Sequence, residues 1–120
     1  MTANPTPVGP YTPVVRAGDW LVVSGQLGLR DGELVPDGTT AELRQAIANL
    51  AGLLDGEGAA LSDVVKTTLF LRHMSDYPAV NETYVDAFGD HRPARSAIGV
   101  AELPLGALIE IEAWVWVGGQ

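Results

Sequence analysis

Cysteine is absent from the 120-residue sequence. Its absence excludes a disulfide framework, a thiolate nucleophile and any metal site built from thiolates. Basic residues are scarce as well, since seven lysines and arginines stand against 15 acidic residues and give a formal net charge of −8. Binding to nucleic acid needs a cationic surface that displaces counterions from phosphates, so we expect no nucleic-acid partner.

Long apolar runs are also missing. The longest, residues 107–117, is interrupted by Glu110 and Glu112 and is too short to cross a bilayer. The first residues, MTANPTPVGPY, contain neither a basic residue nor an apolar run, which is unlike a secretory signal. We therefore expect a cytoplasmic protein that has no membrane partner.

Apolar side chains, in contrast, are abundant and make up 47% of the sequence. This length and composition predict a single domain over residues 1–120 with one hydrophobic core. The apolar fraction is high for a small monomer. It indicates that a partner subunit covers part of the surface.

The spacing of apolar residues predicts an α+β chain in the order β-β-α-β-α-β-β, with two helices on one face of a mixed sheet. Thr39 and Glu42 fit a capping box at the start of the first helix. Asp31-Gly32 is a hairpin signal. The predicted strands include 20–27, 64–71, 95–101 and 108–117, and the predicted helices are 40–55 and 77–88.

The last predicted strand has two different faces. Alternation along the strand puts Ile109, Ile111, Ala113, Val115 and Val117 on one face and Leu108, Glu110, Glu112, Trp114 and Trp116 on the other. Because the helices cover only one face, two tryptophans on the other would form a large exposed patch on a monomer. The pattern predicts association through this face. The alternative is that a loop covers Trp114 and Trp116.

Common catalytic motifs are absent, because the chain has no nucleophile elbow, P-loop or dinucleotide fingerprint. His73 and His91 have no second ligand at helical or strand spacing, so we predict no metal site. Arg95 starts one strand, and Glu110 lies on the strand expected to return beside it. An arginine presents a fork suited to a carboxylate. From the residues alone, however, a simple cross-strand ion pair between Arg95 and Glu110 is favoured.

Several short segments together form a specific pattern over nearly the whole chain, although each alone is weak. In order and spacing they resemble the RidA family, also called the YjgF/YER057c/UK114 family. The resemblance implies a chorismate-mutase-like α+β fold. It further implies a homotrimer in which three sheets form a barrel, with the helices outside and one active site at each subunit interface. The segments are 9–11 (GPY), 23–26 (VSGQ), 45–50 (QAIANL), 63–68 (DVVKTT), Met74, Asp76, 80–81 (VN), 83–84 (TY), 93–96 (PARS), 103–104 (LP) and 110–112 (EIE).

The resemblance also implies an activity, the hydrolysis of 2-enamines and 2-imines to 2-keto acids and ammonia without a cofactor. Examples of such substrates are 2-aminoacrylate and 2-iminobutyrate. Arg95 matches the family arginine that clamps the substrate carboxylate. Glu110 matches the glutamate that positions and deprotonates the attacking water. Tyr11, Ser24 and Asn81 match polar groups that surround the pocket.

Ala97 stands where the best-known family members have cysteine, at the position whose backbone carbonyl holds the water in the family's mechanism. This replacement leaves open a specialised imine substrate from one pathway. A second open function is a trimer that binds a 2-keto acid or an amino acid through Arg95 without catalysis, which would not need Glu110. A ribonuclease is disfavoured, because the chain has neither a basic groove nor a pair of general-base histidines.

Overall fold

The computed structural model describes residues 7–119, in which seven strands and two α-helices follow in the order β-β-β-β-α-β-α-β-β. The α+β class and both predicted helices are confirmed. No helix in this part of the chain is long and apolar enough to span a membrane. The strands are β1 (Val14–Ala17), β2 (Trp20–Leu27), β3 (Leu29–Arg30), β4 (Glu33–Leu34), β5 (Val64–Leu71), β6 (Ala94–Gly99) and β7 (Ile109–Trp116), and the helices are α1 (Thr39–Asp55) and α2 (Tyr77–Phe88).

Five strands form one mixed sheet in the order β1-β2-β7-β5-β6, while β3 and β4 form a separate hairpin. Within the sheet only β5 and β6 are parallel, and α2 supplies the crossover that a parallel pair requires. The two edges of the sheet are β1 and β6. The prediction that the strand of Glu110 returns beside that of Arg95 is wrong, because β5 lies between β6 and β7.

Both helices pack on one face of this sheet and bury a shared core. In α1 the stripe predicted from the sequence is confirmed, since its four large residues are at most 2% exposed; they are Leu43, Ile47, Leu50 and Leu54. The predicted division of the last strand is also confirmed. Its core face, Ile109, Ile111, Ala113, Val115 and Val117, is buried against the helices, whereas Glu110 and Glu112 are half-buried and Trp114 and Trp116 are exposed on the other face.

The start of α1 differs from the prediction. The residue before the helix is Gly38, and no side chain caps the first turn, so the capping box is wrong. Thr39 Oγ1 instead donates a hydrogen bond to Asp76 Oδ2 at 2.7 Å. Glu42 Oε1 accepts one from the Leu108 backbone N–H at 2.9 Å. Both side chains therefore tie α1 to distant segments, and these tertiary contacts replace the local cap.

Strand β1 was not predicted from the sequence. Four prolines lie in the first dozen or so residues, the last of them Pro13. Because prolines are typical of turns and irregular segments, they gave no indication of the short strand that follows. A tight turn at Gly18, where φ is 62°, pairs β1 with β2. The Asp31-Gly32 hairpin is confirmed. Both residues have positive φ, as a two-residue turn between β3 and β4 requires.

Candidate active site

Arg95 lies on the edge strand β6 and points to the helix side of the sheet. Its register partner on β5 is Thr67, which is fully buried. The guanidinium reaches α2, where Nη2 donates hydrogen bonds to Tyr77 Oη at 2.9 Å and to Asn81 Oδ1 at 2.7 Å. Hydrogen bonds from an ionised donor are about twice as strong as neutral ones, so both contacts restrict the orientation of the guanidinium.

Aromatic rings support the same guanidinium. Arg95 Cζ lies 4.9 Å from the centre of the Tyr84 ring and 5.5 Å from that of Tyr77, within the range of cation–π attraction. Tyr77, Asn81 and Tyr84 are spaced four and three residues apart, so they lie on one face of α2. A single helix face therefore positions the arginine. We call Arg95, Tyr77, Asn81, Tyr84 and Thr67 the arginine cluster.

The Tyr84 hydroxyl is hydrogen-bonded to Thr67 Oγ1 at 2.8 Å inside the core. Burial raises the pKa of Tyr84, with the Thr67 hydrogen bond and the charge of Arg95 acting in the opposite direction. The phenol consequently stays protonated at neutral pH and leaves the positive charge of Arg95 unneutralised. The arginine cluster thus holds one net positive charge beside a largely apolar core.

Part of this guanidinium has no protein partner. Its Nη2 carries two hydrogens and donates to two acceptors. Among residues 7–119, no acceptor is hydrogen-bonded to the Nε or Nη1 hydrogens of Arg95. The side chain is only half-buried. A charged, oriented and reachable donor of this kind is suited to binding an anion.

Glu110 lies on the opposite, open face of the sheet, where β7 runs beside β2. A Cβ atom built on Gly25 would lie only 2.5 Å from Glu110 Cδ, so the carboxyl group occupies space that any other residue at position 25 would fill. Burial, and secondarily the charge of Glu112, raise the pKa of Glu110 above its usual range. A carboxylate with a raised pKa is a stronger base than an ordinary glutamate.

A β-bulge shapes this part of β2, because its register against β7 shifts at Ser24 and Gly25. Bulges commonly redirect side chains beside functional sites. The Ser24 backbone N–H and Oγ both donate to the Pro13 carbonyl, at 2.9 and 3.1 Å, which fixes the N-terminal segment to the bulge. Tyr11, on this segment, lines a cleft together with Gly25. We call Glu110, Gly25, Ser24 and Tyr11 the glutamate cluster.

The two clusters do not meet within one chain. Arg95 contacts α2 on the helix side of the sheet, Glu110 lies on the open side, and β5 separates their strands, so the cross-strand ion pair considered from the sequence does not form. Ala97 is two residues beyond Arg95 on the same strand and packs against the core. The predicted site residues therefore fall into two groups, Asn81, Arg95 and Ala97 in one and Tyr11, Ser24 and Glu110 in the other.

Tryptophans dominate one end of the open face. Trp20 on β2 makes edge-to-face contacts with Trp114 and Trp116 on β7, with ring centres 6.1 and 5.1 Å apart. Trp114 is 45% and Trp116 is 43% exposed, so the alternative that a loop covers them is wrong. A patch of large exposed aromatic rings is typical of a protein–protein contact.

The hydroxyl of Tyr77 was not predicted as part of the site, because this residue fits the apolar helix pattern. The available signal was the i, i+4, i+7 spacing of Tyr77, Asn81 and Tyr84, which puts three polar atoms on one helix face. As for metals, no group of three His, Asp or Glu side chains in residues 7–119 is arranged to hold an ion.

Comparison with known proteins gives a consistent result. A family model described as Endoribonuclease L-PSP matches residues 1–117. The mouse 2-iminobutanoate/2-iminopropanoate deaminase is 43% identical over 114 residues, which cover 93% of this chain and 84% of the mouse protein. The crystal structure of RidA from the Antarctic bacterium Psychrobacter sp. has a TM-score of 0.90 and 36% identity, covering 94% of this chain and 93% of that one.

A crystal structure of E. coli TdcF with bound serine has a TM-score of 0.88 and 31% identity, and it covers 93% of this chain and 91% of that chain. The range matched by the family model, residues 1–117, includes the residues of both clusters. Since the family model spans almost the whole sequence and several relatives are about 40% identical, this chain belongs to the RidA/YjgF/L-PSP family.

Proposed function

We propose that this protein hydrolyses small 2-imines and 2-enamines that carry a carboxylate, such as 2-iminobutyrate and 2-aminoacrylate, to 2-keto acids and ammonia. The observation that carries the proposal is the state of Arg95. Its guanidinium is fixed by α2, while its Nε and Nη1 hydrogens have no partner among the described residues 7–119 and are available to an anion. The deaminase names of relatives such as the mouse protein support the same chemistry.

The active site in this proposal is shared between subunits of a homotrimer. One chain supplies the arginine cluster and the next supplies the glutamate cluster, which explains why a single chain keeps them on opposite faces. Two features favour assembly. Among residues 7–119 the edge strand β6 has no further strand beside it, and the tryptophans of the open face are exposed. A cyclic head-to-tail contact between unlike surfaces closes into a ring, as three sheets in a barrel require.

The reaction needs only an oriented substrate and an activated water. Arg95 holds the carboxylate, which places the imine carbon near Glu110 of the neighbouring subunit. Glu110 removes a proton from water as the oxygen adds to the imine carbon, and it passes this proton to the imine nitrogen to give a carbinolamine. The proton of the carbinolamine hydroxyl is then transferred through Glu110 to the amine nitrogen as the C–N bond breaks, so that ammonia leaves and the 2-keto acid remains. We place the water at the backbone carbonyl of Ala97.

The direct test is release of ammonia or keto acid from 2-iminobutyrate, generated in place by a threonine dehydratase. We expect the wild type to accelerate release and Arg95→Ala to lose that acceleration while its sedimentation remains that of a trimer. Arg95→Lys is the matched control, because it keeps the charge but removes the planar fork, and we expect it to recover only a small part of the activity. Full activity in Arg95→Ala would show that the arginine is not the clamp.

One observation favours a second function, the binding of a small amino acid or keto acid without turnover, since TdcF holds serine. A Glu110→Gln variant separates the two functions. In a deaminase it binds 2-oxobutanoate normally but hydrolyses no imine, whereas in a pure binding protein the wild type itself hydrolyses none. The name of the family model also refers to RNA cleavage, but the net charge of −8 opposes contact with phosphates. RNA cleavage by the purified protein that is abolished by raised salt would support that activity.

A further inference from the structure

Both hydrogen bonds that Arg95 donates to the described residues come from Nη2. This limits the ways in which the guanidinium can bind a carboxylate. A guanidinium binds a carboxylate with two parallel hydrogen bonds through one of two forks, Nη1 with Nη2 or Nε with Nη2. Both forks include Nη2. In this chain Nη2 of Arg95 already donates to Tyr77 Oη and Asn81 Oδ1. A carboxylate that leaves these contacts intact receives one strong hydrogen bond from Arg95 and needs its second from another donor.

The Tyr77 hydroxyl is placed to be that donor. Its oxygen accepts from Arg95 Nη2 at 2.9 Å, so its own hydrogen is directed elsewhere, and no described residue accepts that hydrogen. The side chain is half-buried rather than enclosed. The hydroxyl therefore lies at the guanidinium, carries an unused hydrogen and remains reachable from solvent.

Tyr84 shows that this arrangement is particular to Tyr77. Both rings lie beside the guanidinium, at 4.9 Å for Tyr84 and 5.5 Å for Tyr77. The Tyr84 hydroxyl, however, points into the core, where it is hydrogen-bonded to Thr67. The same face of α2 thus carries one tyrosine whose hydroxyl is hydrogen-bonded within the core and another whose hydroxyl is available to bind a ligand.

We propose that Tyr77 is a substrate-binding and specificity-determining residue, whose hydroxyl donates to the carboxylate that Arg95 clamps. Resting on the proposed deaminase function, this inference adds that the carboxylate is held by a mixed pair, one N–H from Arg95 and the O–H of Tyr77. Two donors directed at two oxygens favour a carboxylate, because both of its oxygens are strong acceptors. A neutral ester or amide keeps one carbonyl acceptor but lacks the second anionic oxygen, so it loses one of the two contacts.

The experiment compares wild type with Tyr77→Phe, which keeps the ring and removes only the hydroxyl. Calorimetric titration with 2-oxobutanoate should show roughly tenfold weaker binding by the variant, as expected for one hydrogen bond to a charged group. Titration with methyl 2-oxobutanoate should give the same weak binding for both proteins. With the imine substrate, KM should rise by a similar factor while kcat stays within about twofold, since the contact exists before and during the reaction.

Tyr84→Phe is the matched comparison, because it removes a hydroxyl from the same helix face. It leaves buried Thr67 without its partner and should lower the midpoint of thermal unfolding, which Tyr77→Phe should not do. Equal affinity of wild type and Tyr77→Phe for 2-oxobutanoate overturns the inference and leaves the deaminase function standing. A parallel loss of affinity for the keto acid and its ester also overturns it, since the hydroxyl would then act through structure alone. A wild type that neither binds 2-oxobutanoate nor hydrolyses imines overturns both proposals.

Discussion

The arginine cluster and the glutamate cluster are built by different means. The first is complete within one chain, because one face of α2 supplies two hydrogen bonds and two aromatic rings to Arg95. The second depends on a bulge, a glycine and a segment near the N-terminus, and its Glu110 lies on the sheet face opposite the two described helices. In the proposed trimer, ligand orientation would therefore be fixed within one subunit, whereas water activation would be completed by assembly.

Complementation between two inactive variants gives the largest effect and tests the shared site directly. Arg95→Ala and Glu110→Gln each remove one half, so each homotrimer should be inactive. In trimers formed by co-expressing both variants equally, about a quarter of the sites pair an intact Arg95 with an intact Glu110 across a head-to-tail interface. We expect about that fraction of wild-type imine hydrolysis. Activity no higher than that of the single variants would mean that each site belongs to one subunit.

A charge on the open face should separate assembly from folding. Trp114→Lys adds a cation to a face that the proposed trimer buries, and burial of an unpaired charge is strongly unfavourable. The variant should sediment as a monomer, keep its helical circular dichroism and lose imine hydrolysis. Arg44→Ala, a change at an exposed position on α1, is the control and should remain trimeric. A trimeric and active Trp114→Lys protein would place the interface elsewhere.

A single methyl group at the bulge should impair the glutamate cluster without unfolding the chain. Gly25→Ala places a Cβ within 2.5 Å of Glu110 Cδ, and the atoms it meets belong to the end of a flexible side chain that can move. A displacement of about 1 Å can cost roughly a hundredfold in rate. We expect that loss in kcat, with little change in the midpoint of thermal unfolding.

Gly52→Ala is the matched control for this change, because an added Cβ there meets nothing within 4 Å. It lies in the interior of α1, where replacing glycine by alanine stabilises a helix by about 0.5–1 kcal/mol. The control should therefore unfold at a slightly higher temperature and keep full activity. If Gly25→Ala is as active as Gly52→Ala, then the position of the Glu110 carboxylate does not control the rate.

The smallest expected effect concerns pH. In the proposed mechanism Glu110 acts as a base only when ionised, and because its pKa is raised, activity should fall with decreasing pH at a higher pH than for an ordinary glutamate. Glu112→Gln removes the second cause of the shift and should move this acid limb to lower pH. The effect on stability is opposite to the effect on activity, because the ionised form that supports activity is the form that the folded state disfavours. A raised carboxyl pKa disfavours the folded state above that pKa, so Glu110→Gln should slightly raise the unfolding temperature at neutral pH. An acid limb that Glu112→Gln leaves unchanged would assign it to another group.

Local patterns predicted the elements well and their arrangement poorly. The stripe of Leu43, Ile47, Leu50 and Leu54 and the alternation along β7 were predicted because burial of one face imposes a period on the sequence. The position of β7 between β2 and β5 was not, since strand order depends on contacts between distant segments. The capping box failed for the same reason, because Thr39 and Glu42 bind partners that no local motif reveals.

For the candidate site, the resemblance supplied Arg95 and Glu110, but the residues alone favoured an ion pair between them. The sheet order shows that β5 separates them, and the contacts of Arg95 with α2 together with the burial pattern of β7 show that they face opposite ways. Tyr77 was overlooked because a tyrosine in an amphipathic helix satisfies the apolar pattern whether or not its hydroxyl is used. A polar group on an apolar scaffold is visible in the sequence, but its partner is not.

The two clusters also differ in how much of the chain they require. All the residues of the arginine cluster lie between Thr67 and Arg95, within the β5-α2-β6 crossover. The glutamate cluster joins residues 11–25 to Glu110, so a loop of about 85 residues must close before it exists, and closure costs more entropy as a loop lengthens. On the ribosome, the arginine cluster can emerge as one contiguous segment. Strand β2 pairs with β7, so one edge of β2 stays unpaired until the last strand has been synthesised.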